Sequence, residues 1–329
     1  MLQLKPEDLR PAGEFKQPSP LLGCRFDPTG TFAFAGAEDN LIHRWTLADG
    51  KRVELKGHKS WVRALTFSAK HKQLYSGDYA GKVFTWNFAD DAPVPARDFV
   101  GHDGWVRALT VDPTETVLAS CGNDRLIKLW SLPDLKLIRT LDGHESHVYN
   151  IAFHPTEPLI VSGDQKGIIK VWHREKGTVE REMDAKVLHK YDPTFAADIG
   201  GIRGIAFSPD GKLLACAGIT NVSNAFAGIG NPLVVLFDFA TGKPKQQLKP
   251  KEAFQGTAWG VVCHPDGHII GAAGGNGGMI WFWKAETATD VFAFKVPVNA
   301  RDIALHPDGK RLAVPCSDGT LRVYDASPK

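Results

Sequence analysis

Short apolar runs, each cut off by polar turn residues, recur from one end of the chain to the other; Val62–Phe67, Val117–Cys121 and Ile202–Phe207 are examples. Runs this brief, with turn chemistry between them, predict β-strands rather than helices. Seven runs lead into related turns: Asp27-Pro28-Thr29-Gly30, Ser68-Ala69-Lys70-His71, Asp112-Pro113-Thr114-Glu115, His154-Pro155-Thr156-Glu157, Ser208-Pro209-Asp210-Gly211, His264-Pro265-Asp266-Gly267 and His306-Pro307-Asp308-Gly309. Proline presets φ at the first central turn position, and Asp or Gly suits the positions after it. The turns recur every 42 residues or so, the length of one four-stranded unit, with two steps longer by about a dozen residues.

Each unit reads alike. One apolar strand precedes the turn and a second comes after it. A third ends in an aromatic: Trp45, Trp86, Trp130, Trp172, Phe237, Trp283 and Tyr324 in succession. A more polar fourth strand, such as Lys136–Leu141, closes the unit. A four-stranded blade cannot bury both faces alone, so the blades must stack around an axis. The pattern predicts an all-β fold, a single seven-bladed propeller of four-stranded antiparallel blades. Blade limits fall near 20–57, 58–100, 101–142, 143–184, 185–250, 251–297 and 298–329. The last unit has no room for a fourth strand after Tyr324. The segment 12–16 is expected to supply it, joining the two ends of the chain and removing an open edge.

Composition narrows the function classes. The chain has 329 residues, 43% of them apolar and 23% charged, with a net charge of +2. Disorder is therefore not expected, and the near-neutral balance counts against a dedicated nucleic-acid binder. The longest apolar stretches, such as Leu233–Phe237, fall far short of the ~18 residues of a membrane helix. The first twenty residues have no apolar core of a signal peptide. Cys24, Cys121, Cys216, Cys263 and Cys316 are odd in number and lack C-x-x-C spacing, which suits buried free thiols in a reducing, cytoplasmic setting.

Gly57-His58, Gly101-His102 and Gly143-His144, together with the third-strand aromatics, resemble the Gly-His and Trp-Asp positions of the WD-repeat (WD40) family. The resemblance covers nearly the whole chain and implies a protein-interaction scaffold without catalysis, cofactor or metal. It also departs from the pattern: Asp follows the third-strand aromatic only at Asp238 and Asp325, and blades one, five, six and seven lack Gly-His.

His102, Ser120 and Asp124 look like a nucleophilic triad. The resemblance instead implies that, with Trp130, they form a structural hydrogen-bond tetrad. Ser120 lies within an apolar strand rather than on an exposed elbow, and no glycine-rich oxyanion segment accompanies it. Blades two and four keep His58, Ser76, Trp86 and His144, Ser162, Trp172, with Ala80 and Lys166 at the expected Asp position. His154, His264 and His306 sit in separate turns without zinc-type spacing. The run Gly274–Gly278 precedes a strand-like segment, not the helix of a phosphate loop.

The family topology implies that side chains near the start of each first strand face one rim of the channel. These are Leu22, Arg63, Arg107, Tyr149, Arg203, Trp259 and Arg301, with Pro20, Trp61, Trp105, His147, Gly201, Thr257 and Asn299 two residues earlier. Arg, Trp and Tyr are the residue types of interface hot spots. The expected partner-binding set is Trp61, Arg63, Trp105, Arg107, His147, Tyr149, Arg203, Trp259 and Arg301. Four arginines there suit an acidic or phosphorylated protein or peptide. The alternative is that the tryptophans pack between blades and the arginines pair with acids. The two extra stretches of blade five, 185–200 and 219–231, are expected as loops beside Arg203, either walling a partner site or covering the blade. The competing functions are a propeller enzyme (a lactonase-like hydrolase or a dehydrogenase) and a nucleic-acid binder. The first needs a carboxylate or metal cluster in the channel, and the rim set is poor in Asp and Glu.

Overall fold

Seven four-stranded antiparallel sheets follow one another around a closed ring. The computed structural model describes residues 3–224 and 229–328. Blade one contains strands Leu21–Phe26, Phe32–Ala37, Ile42–Thr46 and Arg52–Leu55, innermost to outermost. Blades two to six repeat that order, with first strands Val62–Ser68, Val106–Val111, Val148–Phe153, Gly204–Phe207 and Gly256–Cys263. Among the described residues, the only helical pieces are two 3₁₀ turns, Pro6–Asp8 and Lys186–Leu188.

The seventh sheet is assembled from both ends of the chain. Arg10–Lys16 runs antiparallel to Thr320–Asp325, pairing Arg10 with Asp325 and Lys16 with Thr320. The closing strand predicted at 12–16 is thus present and begins two residues earlier. The segment before it is anchored too. Leu4 and Leu9 are buried in the apolar seam between blades six and seven, and the Leu4 N–H donates to Asp266 Oδ2 at 2.8 Å.

The core lies between blades. Seven apolar clusters each join neighbouring sheets, one at every seam of the ring. All seven third-strand aromatics are buried there. The tight approach of one blade's first strand to its neighbour's second explains the small residues in those second strands. A Cβ on Gly36 would lie 2.3 Å from the Val62 carbonyl oxygen, which is backbone and cannot swing aside. Gly36→Val is expected to destabilise the chain by about 3 kcal/mol through overpacking of this seam. A melting temperature equal to the parent's would contradict such close packing.

The recurring turn histidines tie blades together. His154 Nε2 donates to the Gly211 carbonyl at 3.1 Å, His264 Nε2 to Gly309 at 2.7 Å, and His306 Nε2 to Gly30 at 3.0 Å. His71 reaches Glu115 in the same way, at 2.9 Å. In His154, Nδ1 accepts backbone N–H groups of its own turn, from Thr156 and Glu157, which leaves Nε2 as the donor. These rings are spent on contacts between blades. Gly274–Gly278 forms the turn joining strands His268–Gly275 and Gly277–Lys284.

Blade five departs from expectation. The stretches expected as loops are largely strands. Residues 185–200 form a 3₁₀ turn and a hairpin, His189–Asp192 against Ala197–Gly200. The second and third strands of the blade run long, Leu213–Asn224 and Ile229–Asp238. Extension lets these backbones satisfy their own hydrogen bonds, while Leu188, Ile219 and Val222 are buried. The two insertions also meet, with Lys190 Nζ donating to the Val222 carbonyl at 2.6 Å. Tyr191 stays exposed on the hairpin. Phe226, part of the second insertion, lies outside the described residues.

Four of the five cysteines are buried, and all are unpaired thiols. Burial raises Cys263 to about 12 and Cys316 to about 11, and carries Cys121 and Cys216 higher still. Thiols held protonated in this way are poor nucleophiles. No described helix is long and apolar enough to cross a membrane.

Candidate functional site

Three blades carry the same buried relay. In blade three, Trp130 Nε1 donates to Ser120 Oγ at 3.0 Å, and that hydroxyl lies 2.7 Å from His102 Nε2. His102 Nδ1 is 2.8 Å from Asp124 Oδ1. With a carboxylate at Nδ1, that nitrogen carries the proton, so Nε2 accepts from the serine. Ser120 has no exposed surface, so its hydroxyl meets no substrate.

Blades two and four are complete as well, contrary to the sequence reading. The missing carboxylates are Asp78 and Asp164, two residues before Ala80 and Lys166. They lie 2.7 Å and 2.9 Å from His58 and His144 Nδ1. Each sits at the end of its second strand, where blade three has Gly122, so the carboxylate can enter the relay from the strand or from the turn. Asp78 Oδ1 also accepts the Ala80 and Lys82 N–H groups, capping the turn that the acid otherwise occupies.

Although burial opposes it, hydrogen bonding and charge from His102, with the Leu126 and Asp103 N–H groups, hold the Asp124 carboxyl below the usual range. A depressed carboxylate stabilises the fold above its unfolded value of about 3.9, and that contribution is lost as pH falls through the folded value. Asp124→Ala is therefore expected to cost about 1–3 kcal/mol at pH 7, by leaving buried donors unpaired. The gap to the parent closes below about pH 4. Denaturant melts at pH 7 and pH 3 check both the size and the sign.

The channel mouth is built by a recurring backbone device. The pairing of first and second strands slips at Leu22, Arg63, Arg107, Tyr149 and Trp259, each falling in the register shift between its neighbours. A residue inserted in this way is released from the ladder and its side chain is re-aimed. Here the re-aimed side chains converge. Together with Arg203 and Arg301 they line one vestibule of about 180 Å³, which Trp61, Tyr79 and Trp105 also border. Eight of the nine residues expected at the mouth meet there. The exception is His147, whose Nδ1 lies 2.6 Å from the Asn123 carbonyl, outside the vestibule lining.

Within the vestibule, cations and rings alternate. The Arg107 guanidinium lies 4.3 Å from the ring centres of both Trp105 and Tyr149. Arg203 is 4.5 Å from Tyr149 and 5.2 Å from Trp259, and Arg63 is 5.7 Å from Trp259. Such contacts hold guanidinium groups without neutralising them. Among the described residues, only one rim arginine has an acid within ion-pair range: Arg301, 3.4 Å from Glu38. Arg107 Nε donates to Asn123 Oδ1 at 2.7 Å, and Arg63 donates to the Leu22 carbonyl at 3.2 Å. Arg203 Nε is buried without a partner among the described residues. Burial, then the nearby charges of Arg107 and Arg63, push Arg203 down to about 10, with Tyr149 acting in the opposite direction.

Sequence reasoning missed a second set of rim residues, one past the end of the second strand in blades one to four. Tyr79 stacks on Trp105 at 3.8 Å with the rings nearly parallel, Asn123 holds Arg107, and Glu38 holds Arg301. Their backbones mark the position: the Glu38, Tyr79, Asn123 and Gln165 N–H groups donate to Pro20, Trp61, Trp105 and His147 carbonyls. The available signal was their fixed offset of one residue beyond the second strand.

Below the vestibule the channel widens to about 390 Å³. Arg63, Arg107 and Arg203 border both spaces, so they form a collar between them. Asp302 in the channel is engaged by Arg25 at 2.8 Å.

The sequence model of the WD domain, G-beta repeat, matches residues 51–87, 93–131, 135–173, 193–221 and 294–325. Among curated proteins, eukaryotic translation initiation factor 3 subunit I from Scheffersomyces stipitis is 35% identical over 85 residues, and the same subunit from Candida albicans is 32% identical over 85. Each match covers 24% of this chain and 24% of the relative, so the chain spans about a quarter of those relatives' length.

Proposed function

Because the chain belongs to the WD-domain, G-beta-repeat family, we propose that it is a non-catalytic scaffold that binds a protein or peptide partner at the channel mouth. The observation that carries this reading is the collar of Arg63, Arg107 and Arg203, interleaved with Tyr149 and Trp259 and lacking, among the described residues, any acid within ion-pair range. Desolvated cations without counter-charge, beside exposed Trp61 and Trp105, suit an acidic or phosphorylated partner. The matched relatives are named as subunits of a translation initiation factor. Only their mode of work, holding a place among other chains, is carried over to this protein. The cytoplasm is the compartment that fits unpaired, buried thiols.

An enzyme reading finds less support. Asp302, which lines the channel, and Glu38, which meets Arg301 at the mouth, are both engaged by arginines. The Ser–His–Asp sets are buried relays rather than open sites.

The test is co-purification from native cells, comparing the parent chain with a variant carrying Arg63→Glu, Arg107→Glu, Arg203→Glu and Arg301→Glu. Both must first have the same melting behaviour. Partners seen with the parent and lost with the variant support the mouth as the binding site. Partners retained by the variant place binding elsewhere and refute it.

A further inference from the structure

We infer that the mouth selects a phosphomonoester carried on a peptide side chain, with the phosphate oxygens shared among Arg63, Arg107 and Arg203; this rests on the mouth being the partner site. The collar offers three forked donors and, among the described residues, no counter-charge. A carboxylate is a monoanion with two oxygens and can engage one or two such forks. A phosphate monoester brings three acceptor oxygens and a charge between about −1.5 and −2. Its three oxygens let it engage three guanidinium groups at once.

Depth points the same way. The collar lies where the vestibule passes into the channel, below a rim that includes Trp61, Tyr79 and Trp105. An anion must reach past those rings; phosphotyrosine reaches further from its backbone than Asp or Glu, while phosphoserine and phosphothreonine reach about as far as Glu and further than Asp. The stacked Tyr79–Trp105 pair and exposed Trp61 offer flat walls to the residues flanking the phosphate. Arg203 carries the argument furthest. Its guanidinium is held over Tyr149 and Trp259 and has a buried Nε with no acceptor among the described residues. Arg301 is left out of the collar because Glu38 already engages it.

A nucleic-acid strand is less well matched. It presents a track of phosphates, whereas these three arginines border a single 180 Å³ vestibule, and the whole chain carries a net charge of only +2.

The test titrates the full-length chain with degenerate pentapeptide pools centred on phosphoserine, phosphothreonine or phosphotyrosine. The same pools with unmodified residues or glutamate at the centre, inorganic phosphate and a single-stranded dodecanucleotide are run beside them. Tryptophan fluorescence reports binding. At least one phosphorylated pool is expected to bind tenfold or more tightly than its glutamate counterpart. Arg203→Gln and Arg107→Gln are each expected to weaken that binding tenfold or more, while Arg139→Gln, on an outer strand, leaves it unchanged. Melting curves confirm that each variant is folded. Equal binding of phosphate and glutamate pools overturns the inference, as does indifference to Arg203→Gln. Binding of inorganic phosphate with no phosphorylated pool bound overturns the peptide source. Binding of the oligonucleotide alone, falling steeply with salt, overturns it in favour of nucleic acid. A native partner that survives phosphatase treatment but is lost with the quadruple glutamate variant sinks this inference and leaves the proposed function standing. A partner retained by that variant sinks both.

Discussion

Deletion of residues 1–16 is expected to abolish cooperative folding of the monomer. The deletion removes the strand paired to Thr320–Asp325 and exposes the edge of the last blade. It also strips Leu4 and Leu9 from the seam that holds Ile270, Phe282, Val296 and Tyr324. Each buried leucine alone is worth about 2–5 kcal/mol by truncation. A domain's whole stability is about 5–15 kcal/mol, so losing both, with a full strand of backbone hydrogen bonds, exceeds what the ring can spare. The exposed edge then becomes a template for pairing with other chains. Size-exclusion chromatography and a denaturant melt check this. A monomer with a sharp transition near the parent's would mean that the terminal strand is dispensable. Leu9→Ala is the milder companion and is expected to lower stability by about 2–4 kcal/mol while keeping the fold.

Arg203→Gln is expected to reduce partner binding by about thirtyfold to a thousandfold, as a hot-spot loss of ~2–4 kcal/mol, without lowering the melting temperature. Function and stability separate here for a physical reason. The guanidinium is desolvated, lies near Arg107 and Arg63, and has a buried donor without a partner among the described residues. Its contacts with Tyr149 and Trp259 offset only part of that cost. Removing the charge relieves repulsion that a bound anion would otherwise relieve, a common trade at binding sites. Affinity measured on a captured partner, beside a thermal melt, separates the two effects. A melting temperature well below the parent's, with binding intact, would make Arg203 a structural residue.

Much of the ring was legible in the chain itself. Seven turns, seven third-strand aromatics and a last unit short of a strand specified the blade count and the closure. These features are local or periodic, and the second strands are buried on both faces, as stacked blades require. The convergence of Leu22, Arg63, Arg107, Tyr149, Arg203, Trp259 and Arg301 on one rim was also readable, because equivalent positions in stacked repeats must share a side.

Other features had to wait for the third dimension. The blade-two and blade-four relays looked incomplete because a carboxylate can reach the same imidazole from two backbone positions, and sequence offset does not measure that distance. The insertions of blade five looked like loops, since their composition is mixed; each folds back on itself as paired strands. Whether an arginine is free or neutralised depends on which acid the neighbouring blade brings beside it. Glu38 comes from blade one and meets Arg301 of blade seven, while Arg203, between them in the chain, meets no acid among the described residues. Periodicity set the architecture because it acts on neighbours along the chain. The charge balance of the mouth was decided only by closure, which brings together side chains from all seven blades.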